Sequence, residues 1–300
     1  MREYGFKLLM ITSAVLVIAG VVLFLNKDEQ SVEFFDENKI IREFQPIEVD
    51  FDKDLFYRSL EQASEFKIKD RLLGATLPHH EVASDYLAKF FSQLAKDQAV
   101  NTFIILGPNH SDIAAWPAIS AEVYWQTSRG SVYQNENILN ELVESETVVY
   151  DQENFIPEHS IKTIIPFIKY YFPKAKVVPI ILTSRHDESM SLALAEKISL
   201  ELEDKKTVLL SSLDFSHYLD IETAQQNDDV TLQAIYDKDY SLLSNLNSDY
   251  LDSPPVLITL LETMRLLEAD SFELVDHDNS GNILGSNFDV TSYIIGYFSK

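Results

Sequence analysis

The chain contains 300 residues, of which 46% are hydrophobic and 24% are charged, a composition typical of a globular protein with a sizeable apolar core. Asp and Glu outnumber Lys and Arg by 48 to 24, so the net charge is −24. Nucleic acid is therefore not an expected partner, because its phosphates would be repelled. The sequence has no cysteine, which excludes disulfides, thiolate metal ligands and a cysteine nucleophile.

The first predicted element is a membrane anchor. Residues Leu8 to Leu25 form an uncharged apolar run, and a helix that spans a bilayer needs roughly 18–20 such residues. Because Arg2 and Lys7 precede this run, the N-terminus is expected in the cytoplasm. We therefore predict an uncleaved anchor over residues 1–26 and a single-pass, membrane-anchored protein whose folded domain is extracytoplasmic. A cleaved signal peptide is the alternative.

An acidic tether is predicted over residues 27–54, and residues 55–300 are expected to fold as one domain. In this domain, apolar strand-like runs alternate with amphipathic helical segments. Strands are predicted at 72–77, 103–106, 176–182, 207–213 and 290–298, and helices at 82–96, 161–171, 189–202, 230–235 and 256–267. Pro179 indicates an edge strand or a bulge. The alternation predicts an α/β fold, a three-layer sandwich with a central mixed sheet.

Five of the seven histidines lie in four short polar clusters, most of them directly after strand-like runs. The clusters are Pro78-His79-His80, Gly107-Pro108-Asn109-His110, Pro157-Glu158-His159-Ser160 and Asp214-Phe215-Ser216-His217. Ligands of α/β proteins bind beyond the carboxyl ends of the strands, so several loops are expected to build one site. Any single histidine is more often a hydrogen-bonded structural residue, and the expectation therefore depends on the set.

The clusters favour metal binding, because neutral imidazole is the commonest metal ligand in proteins and carboxylates orient it. Three imidazoles and a carboxylate suit a divalent transition metal, namely iron, copper or zinc, better than magnesium or calcium. They come from His79, His110, His217 and Asp214. Of the adjacent pair His79 and His80, only one is expected to face the site.

The segment with Glu158 and His159, and His277 further along the chain, have separate interpretations. Glu158 suits the first turn of the helix that follows it. At that helix start, His159 would have a lowered pKa and could act as an acid or a base. His277, between two aspartates and just before a predicted turn, is interpreted as a structural residue.

The order and spacing of these motifs resemble the Memo family, in particular its bacterial and archaeal branch called AmmeMemoRadiSam system protein B. The resemblance extends from about Leu72 to Phe298 and includes the four histidine clusters, Trp125 to Val132, and Ile295-Gly296-Tyr297. It implies a fold similar to that of class III extradiol dioxygenases, which hold Fe(II) with two histidines and a carboxylate. It also implies a radical SAM protein and an AMMECR-type protein as partners.

Carried over by motif, the resemblance implies that His79 and His110 bind the metal and that Asp214 and His217 belong to the same pocket. Memo-like proteins often have a cysteine near the metal, and this chain has Leu251 at that position. We hypothesise that the neighbouring Asp252 supplies a carboxylate ligand instead. The alternative is that Asp252 caps the helix that begins near Pro254.

The function that follows is a metal-dependent oxidoreductase acting on a small molecule or peptide. Two alternatives stay open: a non-catalytic metal- or ligand-binding protein with a vestigial site, and a Zn-dependent hydrolase. The residues expected in catalysis are His159, His217 and Asp214, and those expected at the metal are His79, His110 and Asp252.

Overall fold

The computed structural model describes residues 44–204, 206–269 and 271–300. The strands of these ranges are β1 (Gln45–Glu48), β2 (Leu72–Leu77), β3 (Thr102–Pro108), β4 (Ala118–Ser120), β5 (Val123–Thr127), β6 (Gly130–Val132), β7 (Val149–Tyr150), β8 (Lys176–Leu182), β9 (Thr207–Ser212), β10 (His217–Leu219), β11 (Phe272–Asn279) and β12 (Val290–Ser299). The helices are α1 (Lys53–Gln62), α2 (Ser84–Asp97), α3 (Glu136–Glu144), α4 (Gln152–Phe155), α5 (Ile165–Tyr171), α6 (Glu188–Glu201), α7 (Ile221–Asp237), α8 (Tyr240–Leu243), α9 (Pro254–Leu266) and α10 (Ser280–Leu284), and a 3₁₀ turn covers Glu81–Ala83.

Nine of the described strands form a central sheet in the order β10-β12-β2-β9-β3-β8-β4-β7, with β11 paired to β12. Strands β2, β9, β3 and β8 are parallel to one another, whereas β12 and β4 flank them in antiparallel orientation. Strands β1, β5 and β6 form a separate small sheet. The predicted α/β fold with a central mixed sheet is therefore confirmed.

The central sheet is buried on both faces. In β3, Phe103 and Ile105 pack in a core with α2 and α5. Ile104 and Leu106 of the same strand pack in a second core with α6 and α9. Because successive side chains of a strand point to opposite faces, the sheet separates two helical layers. This double burial explains why the central strands are nearly continuous apolar runs.

The five predicted strands are all present, and β8 shows how one of them accommodates a proline. Strand β8 lies inside the sheet rather than at its edge. On the side of β8 that faces β4, Val177 forms an isolated bridge with Gln134, and Ile181 pairs with Ile119 of β4. Pro179 lies between these two paired positions. Its carbonyl oxygen accepts a hydrogen bond from Ser120 Oγ at 2.6 Å. The missing N–H thus faces a gap in the strand pairing, so no ladder hydrogen bond is lost.

Part of the predicted tether belongs to the folded unit. Gln45–Glu48 forms β1, which pairs in parallel with β5, and Ile47 is buried in the core. Residues 27–43 of the predicted tether 27–54 and the anchor predicted over residues 1–26 lie outside the described residues.

The predicted membrane-anchored location requires a correction. Within residues 44–204, 206–269 and 271–300, no helix combines the length and the apolar character needed to cross a membrane. The longest helix in these ranges, α7, has 17 residues and is amphipathic, whereas a spanning helix needs about 20 apolar residues. A single-pass protein with an extracytoplasmic domain is therefore not retained.

Candidate metal centre

The parallel strands end at one edge of the sheet, where an open cavity of about 1290 Å³ lies. His79 follows β2, His110 follows β3, and Asp214 follows β9. The cavity is lined by every residue predicted for the site, namely His79, His110, His159, Asp214, His217 and Asp252. Several loops therefore meet beyond the carboxyl ends of the strands, as the sequence analysis expected.

Three imidazoles form a group that could hold a metal ion. One ligand atom each from His79, His110 and His159 lies within 4.8 Å of the other two; we call these residues the histidine cluster. The Nε2 atoms of His79 and His110 are 3.3 Å apart. The rings of His110 and His159 stack with their centroids separated by 4.3 Å. His159 is therefore closer to the predicted metal pair than its interpretation as a helix-start residue suggested.

The hydrogen-bond partners of His79 determine where its ring proton lies. Ser212 Oγ donates its only hydrogen to the carbonyl oxygen of Ser160 at 2.5 Å. It must therefore accept from His79 Nδ1, which is 3.2 Å away. Burial lowers the pKa of His79 well below its usual range, and the neighbouring imidazoles of His110 and His159 lower it further. The ring is neutral, and its Nε2 lone pair is free.

Glu158 orients the second imidazole. Its carboxylate accepts from His110 Nδ1 at 2.8 Å and from the backbone N–H groups of His110, His159 and Ser160 at 2.8, 2.7 and 2.9 Å. Burial by itself would raise the pKa of Glu158, but these hydrogen bonds and the charge of His110 lower it to about 2. The ionised carboxylate therefore accepts from Nδ1 and directs Nε2 of His110 toward His79.

The predicted place of Glu158 in the first turn of a helix is wrong, because α5 begins only at Ile165. The Glu158 side chain binds the backbone N–H groups of the next two residues, which competes with helix formation. Gly107 lets the resulting turn approach β3 closely, since a Cβ at this position would lie 2.5 Å from Ser160 Oγ. The turn thereby brings Glu158 against His110.

The spacing of the Nε2 atoms of His79 and His110 fits a bound cation. The two atoms face each other at 3.3 Å, and the Nδ1 atom of each ring is hydrogen-bonded to another side chain. A metal ion about 2.1 Å from each of two ligands, at angles of about 90–110°, separates the ligand atoms by about 3.0–3.4 Å. The observed separation lies within that range.

Two buried carboxylates border the histidine cluster. Asp252 Oδ2 lies 3.3 Å from His79 Nε2 and 3.9 Å from His110 Nε2, and Asp214 Oδ2 lies 3.5 Å from His79 Nε2. Burial raises the pKa of Asp252 well above its usual range, and the charge of Asp214 raises it further. Burial also raises the pKa of Asp214. A cation at the histidine cluster would stabilise the ionised form of both carboxylates.

Asp252 does not act as a helix cap in this structure. Helix α9 begins at Pro254, and its N-cap residue is Ser253, whose side chain makes no capping hydrogen bond. Asp252 Oδ2 instead accepts a hydrogen bond from the backbone N–H of Asp214 at 3.2 Å. Its Oδ1 is buried and has no hydrogen-bond partner among the described residues. A buried carboxyl oxygen without a hydrogen-bond partner is costly, so Asp252 is a candidate metal ligand.

Two other histidines line the cavity without joining the cluster. His80 Nδ1 is 2.7 Å from the hydroxyl oxygen of Tyr293, so His80 makes a different contact from its neighbour His79. His217 begins β10, and its Nδ1 is buried with no partner in the described part of the chain. Burial lowers the pKa of His217, which keeps this imidazole neutral.

A separate buried carboxylate holds the segment 214–217 in place. Asp228 of α7 is 1% exposed, and its Oδ1 accepts from Ser216 Oγ and Ser292 Oγ, both at 2.7 Å. Its Oδ2 lies 2.8 Å from His277 Nε2. We call these four residues the Asp228 network; it ties the 214–217 segment to β12. The sequence did not reveal this role, because Asp228 lies in a polar stretch and its partners are distant along the chain.

Comparison with known proteins identifies the family of this chain. The family model described as Memo-like protein matches residues 53–297. The chain belongs to the Memo-like family. A MEMO1 family protein of Sulfurisphaera tokodaii is 29% identical over 239 residues, which cover 76% of this chain and 83% of the relative. MEMO1 family protein Ta0237 of Thermoplasma acidophilum is 28% identical over 235 residues, which cover 75% and 85%.

The predicted resemblance is thus confirmed at the level of the family, and the match does not separate its branches. Among solved structures, the uncharacterized protein JW3007 from Escherichia coli K12 aligns with a TM-score of 0.48 and 12% sequence identity, covering 77% of this chain and 100% of that chain. A similarity at this level carries no information on function.

Proposed function

We propose that this Memo-like protein is a metal-dependent oxidoreductase that acts on a small organic substrate in the cavity. The observation that carries the proposal is the convergence of the Nε2 atoms of His79 and His110 with a buried carboxyl oxygen of Asp252. Two histidines and one carboxylate are the donor set of non-haem iron oxygenases, and they leave coordination positions open.

In this proposal His79, His110 and Asp252 hold the ion. A bound ferrous ion would supply the redox chemistry and the open positions at which O₂ and the oxygen atoms of a substrate meet. Glu158 and Ser212 hold the two imidazoles in the orientation that directs Nε2 inward. The protein residues therefore form the site before any ligand arrives, which favours tight binding.

The acid–base roles fall to the residues on the cavity wall. The side chain of His159 is 59% exposed and stacks on His110, so a substrate can reach it. Burial and then the charge of His110 lower the pKa of His159, so the neutral ring can accept a proton from a substrate hydroxyl. Asp214 and His217 border the same space and complete the set of proton-carrying groups.

The experiment that tests the proposal measures metal binding and oxygen uptake on the purified protein. The metal-free protein is titrated with Fe(II) and, separately, with Zn(II) and Cu(II), and oxygen consumption is followed with a catechol. We expect stoichiometric Fe(II) binding and catechol-dependent oxygen uptake in the wild-type protein. The variant Asp252→Asn should lose both, because a neutral amide is a poor ligand for a hard divalent ion.

The matched control is Asp289→Asn, which removes an exposed carboxylate that lines the same cavity. This variant should bind Fe(II) like the wild-type protein. Equal metal affinity of Asp252→Asn and wild type would exclude Asp252 as a ligand. Zn(II) binding with ester or amide cleavage would favour a hydrolase, and metal binding without turnover would favour a non-catalytic protein. The radical SAM and AMMECR-type partners stay a prediction.

A further inference from the structure

Strand β10 contains a β-bulge at the wall of the cavity. His217 pairs with Thr291 and Leu219 pairs with Val290, so Tyr218 is the extra residue between two successive pairs. Bulges are frequent beside functional sites, where they turn a side chain toward a new direction. The inserted residue here is aromatic and directly follows His217.

The backbone of Tyr218 is in an unfavourable conformation for its side chain. Its φ is +57°, in the left-handed region that glycine adopts freely and that asparagine and aspartate tolerate. The other five described non-glycine residues with positive φ are Asp, Glu or Lys. For a bulky aromatic residue this conformation is an outlier, and such strain is concentrated at functional sites.

Packing within the protein does not explain why residue 218 is a tyrosine. The residue is 79% exposed, the largest exposed fraction among the large hydrophobic residues that the structure describes. It lines the cavity that contains the histidine cluster, and its ring centroid is 5.8 Å from that of His217. Glycine would form this bulge without strain, so the fold alone gives no reason for an aromatic ring at this position.

We propose that Tyr218 is a substrate-recognition residue whose ring packs on the planar ring of an aromatic substrate. The inference rests on the proposed function, because the hydroxyl oxygens of that substrate would lie at the histidine cluster. It narrows the substrate class to compounds with a planar aromatic ring. Paired aromatic rings gain affinity beyond the area that they bury, by about 2-fold to 10-fold.

The test separates the ring of Tyr218 from the backbone conformation. The variant Tyr218→Asn removes the ring but keeps a residue that tolerates positive φ, and Tyr218→Phe keeps the ring. Each Fe(II)-loaded protein is titrated without oxygen with two chelators. One is 4-nitrocatechol, which is aromatic, and the other is acetohydroxamate, which binds the metal through two oxygens but has no ring.

We expect Tyr218→Asn to weaken the binding of 4-nitrocatechol by about 2-fold to 10-fold and to leave the binding of acetohydroxamate unchanged. Tyr218→Phe should bind both chelators like the wild-type protein. The Fe(II) content of both variants should match that of the wild type. The melting temperature of Tyr218→Asn should be equal or higher, because asparagine relieves the backbone strain.

The results distinguish this inference from the proposed function. If both chelators bind the wild-type protein and Tyr218→Asn leaves the 4-nitrocatechol affinity unchanged, recognition by Tyr218 is wrong and the metal site stands. Equal weakening of both chelators would also overturn it, because the ring would then act on the metal site and not on the aromatic ligand. If neither chelator binds the Fe(II)-treated wild type, the proposed function and this inference both fail.

Discussion

The histidine cluster and the Asp228 network both bring imidazoles to buried carboxylates, but they use the ring nitrogens differently. In the cluster, the Nδ1 atoms of His79 and His110 are hydrogen-bonded to neighbouring side chains, and their Nε2 atoms converge at 3.3 Å. In the network, His277 directs its Nε2 to Asp228 at 2.8 Å. Proximity of histidine and aspartate is therefore insufficient to identify a metal site; free lone pairs must also converge.

The histidine pKa shifts of the two regions are opposite in direction because the surroundings of the two rings differ. Burial and the surrounding imidazoles lower the pKa of His79, which favours the neutral ligand form. The hydrogen bond to Asp228 raises the pKa of His277, which favours the charged form. The first environment suits a metal ion, and the second forms an ion pair that stabilises the fold.

The largest expected effect removes a ligand from the histidine cluster. His110→Ala should lower the affinity for Fe(II) or Zn(II) by more than about 100-fold, since losing a ligand costs more than losing the residue that orients it. The control His277→Gln should leave the affinity unchanged, because His277 already uses its Nε2 on Asp228. Competition titrations with a chromogenic chelator measure both. Similar losses in the two variants would remove the distinction between the regions.

A smaller effect is expected at Glu158, which orients His110 without reaching the metal position. Glu158→Gln keeps a hydrogen-bond acceptor but removes the charge that holds the proton on His110 Nδ1. Metal affinity should fall by about 10-fold, at the lower end of the range for an orienting carboxylate. The same chelator titration measures it. Wild-type affinity in this variant would show that the carboxylate only stabilises the turn.

The Asp228 network should act on stability rather than on metal affinity. Asp228→Ala leaves the buried hydroxyl group of Ser292 without its acceptor and leaves Ser216 Oγ only a 3.2 Å hydrogen bond to the carbonyl oxygen of Ala224, which should lower the free energy of unfolding by about 2 kcal/mol. The neighbouring Asp229 is exposed, so Asp229→Ala is a matched control with little effect. Urea unfolding measures both variants. A loss of metal affinity as large as in His110→Ala would contradict the separation of the two regions.

The smallest effect concerns the pH dependence of stability. The pKa of His277 in the folded protein is raised above its usual value of 6.5. Its charged form therefore stabilises the fold fully below about pH 6.5, and this contribution is lost as the pH rises through the raised pKa. His277→Gln should remove this component. Urea unfolding of both proteins at several pH values between about 6 and 8 measures it; parallel profiles would contradict the shift.

Local sequence information was sufficient for the architecture around the site. Strands buried on both faces are continuous apolar runs, so β2, β3, β8 and β9 could be located from composition alone. Shorter strands such as β4 and β7 could not, because two or three residues carry no periodic pattern. The helix predicted to begin at residue 161 begins at Ile165 instead, since the Glu158 side chain competes for the backbone of the preceding turn.

The sequence by itself determined which chemical groups meet. Parallel strands end at a common edge, so the polar residues that follow them, including His79, His110 and Asp214, necessarily lie near one another. Only the tertiary structure decided which nitrogen of each ring is free and which carboxylates are buried beside it. Those properties depend on hydrogen bonds between segments far apart in the chain, such as those of Glu158 and Asp252, and no local pattern encodes them.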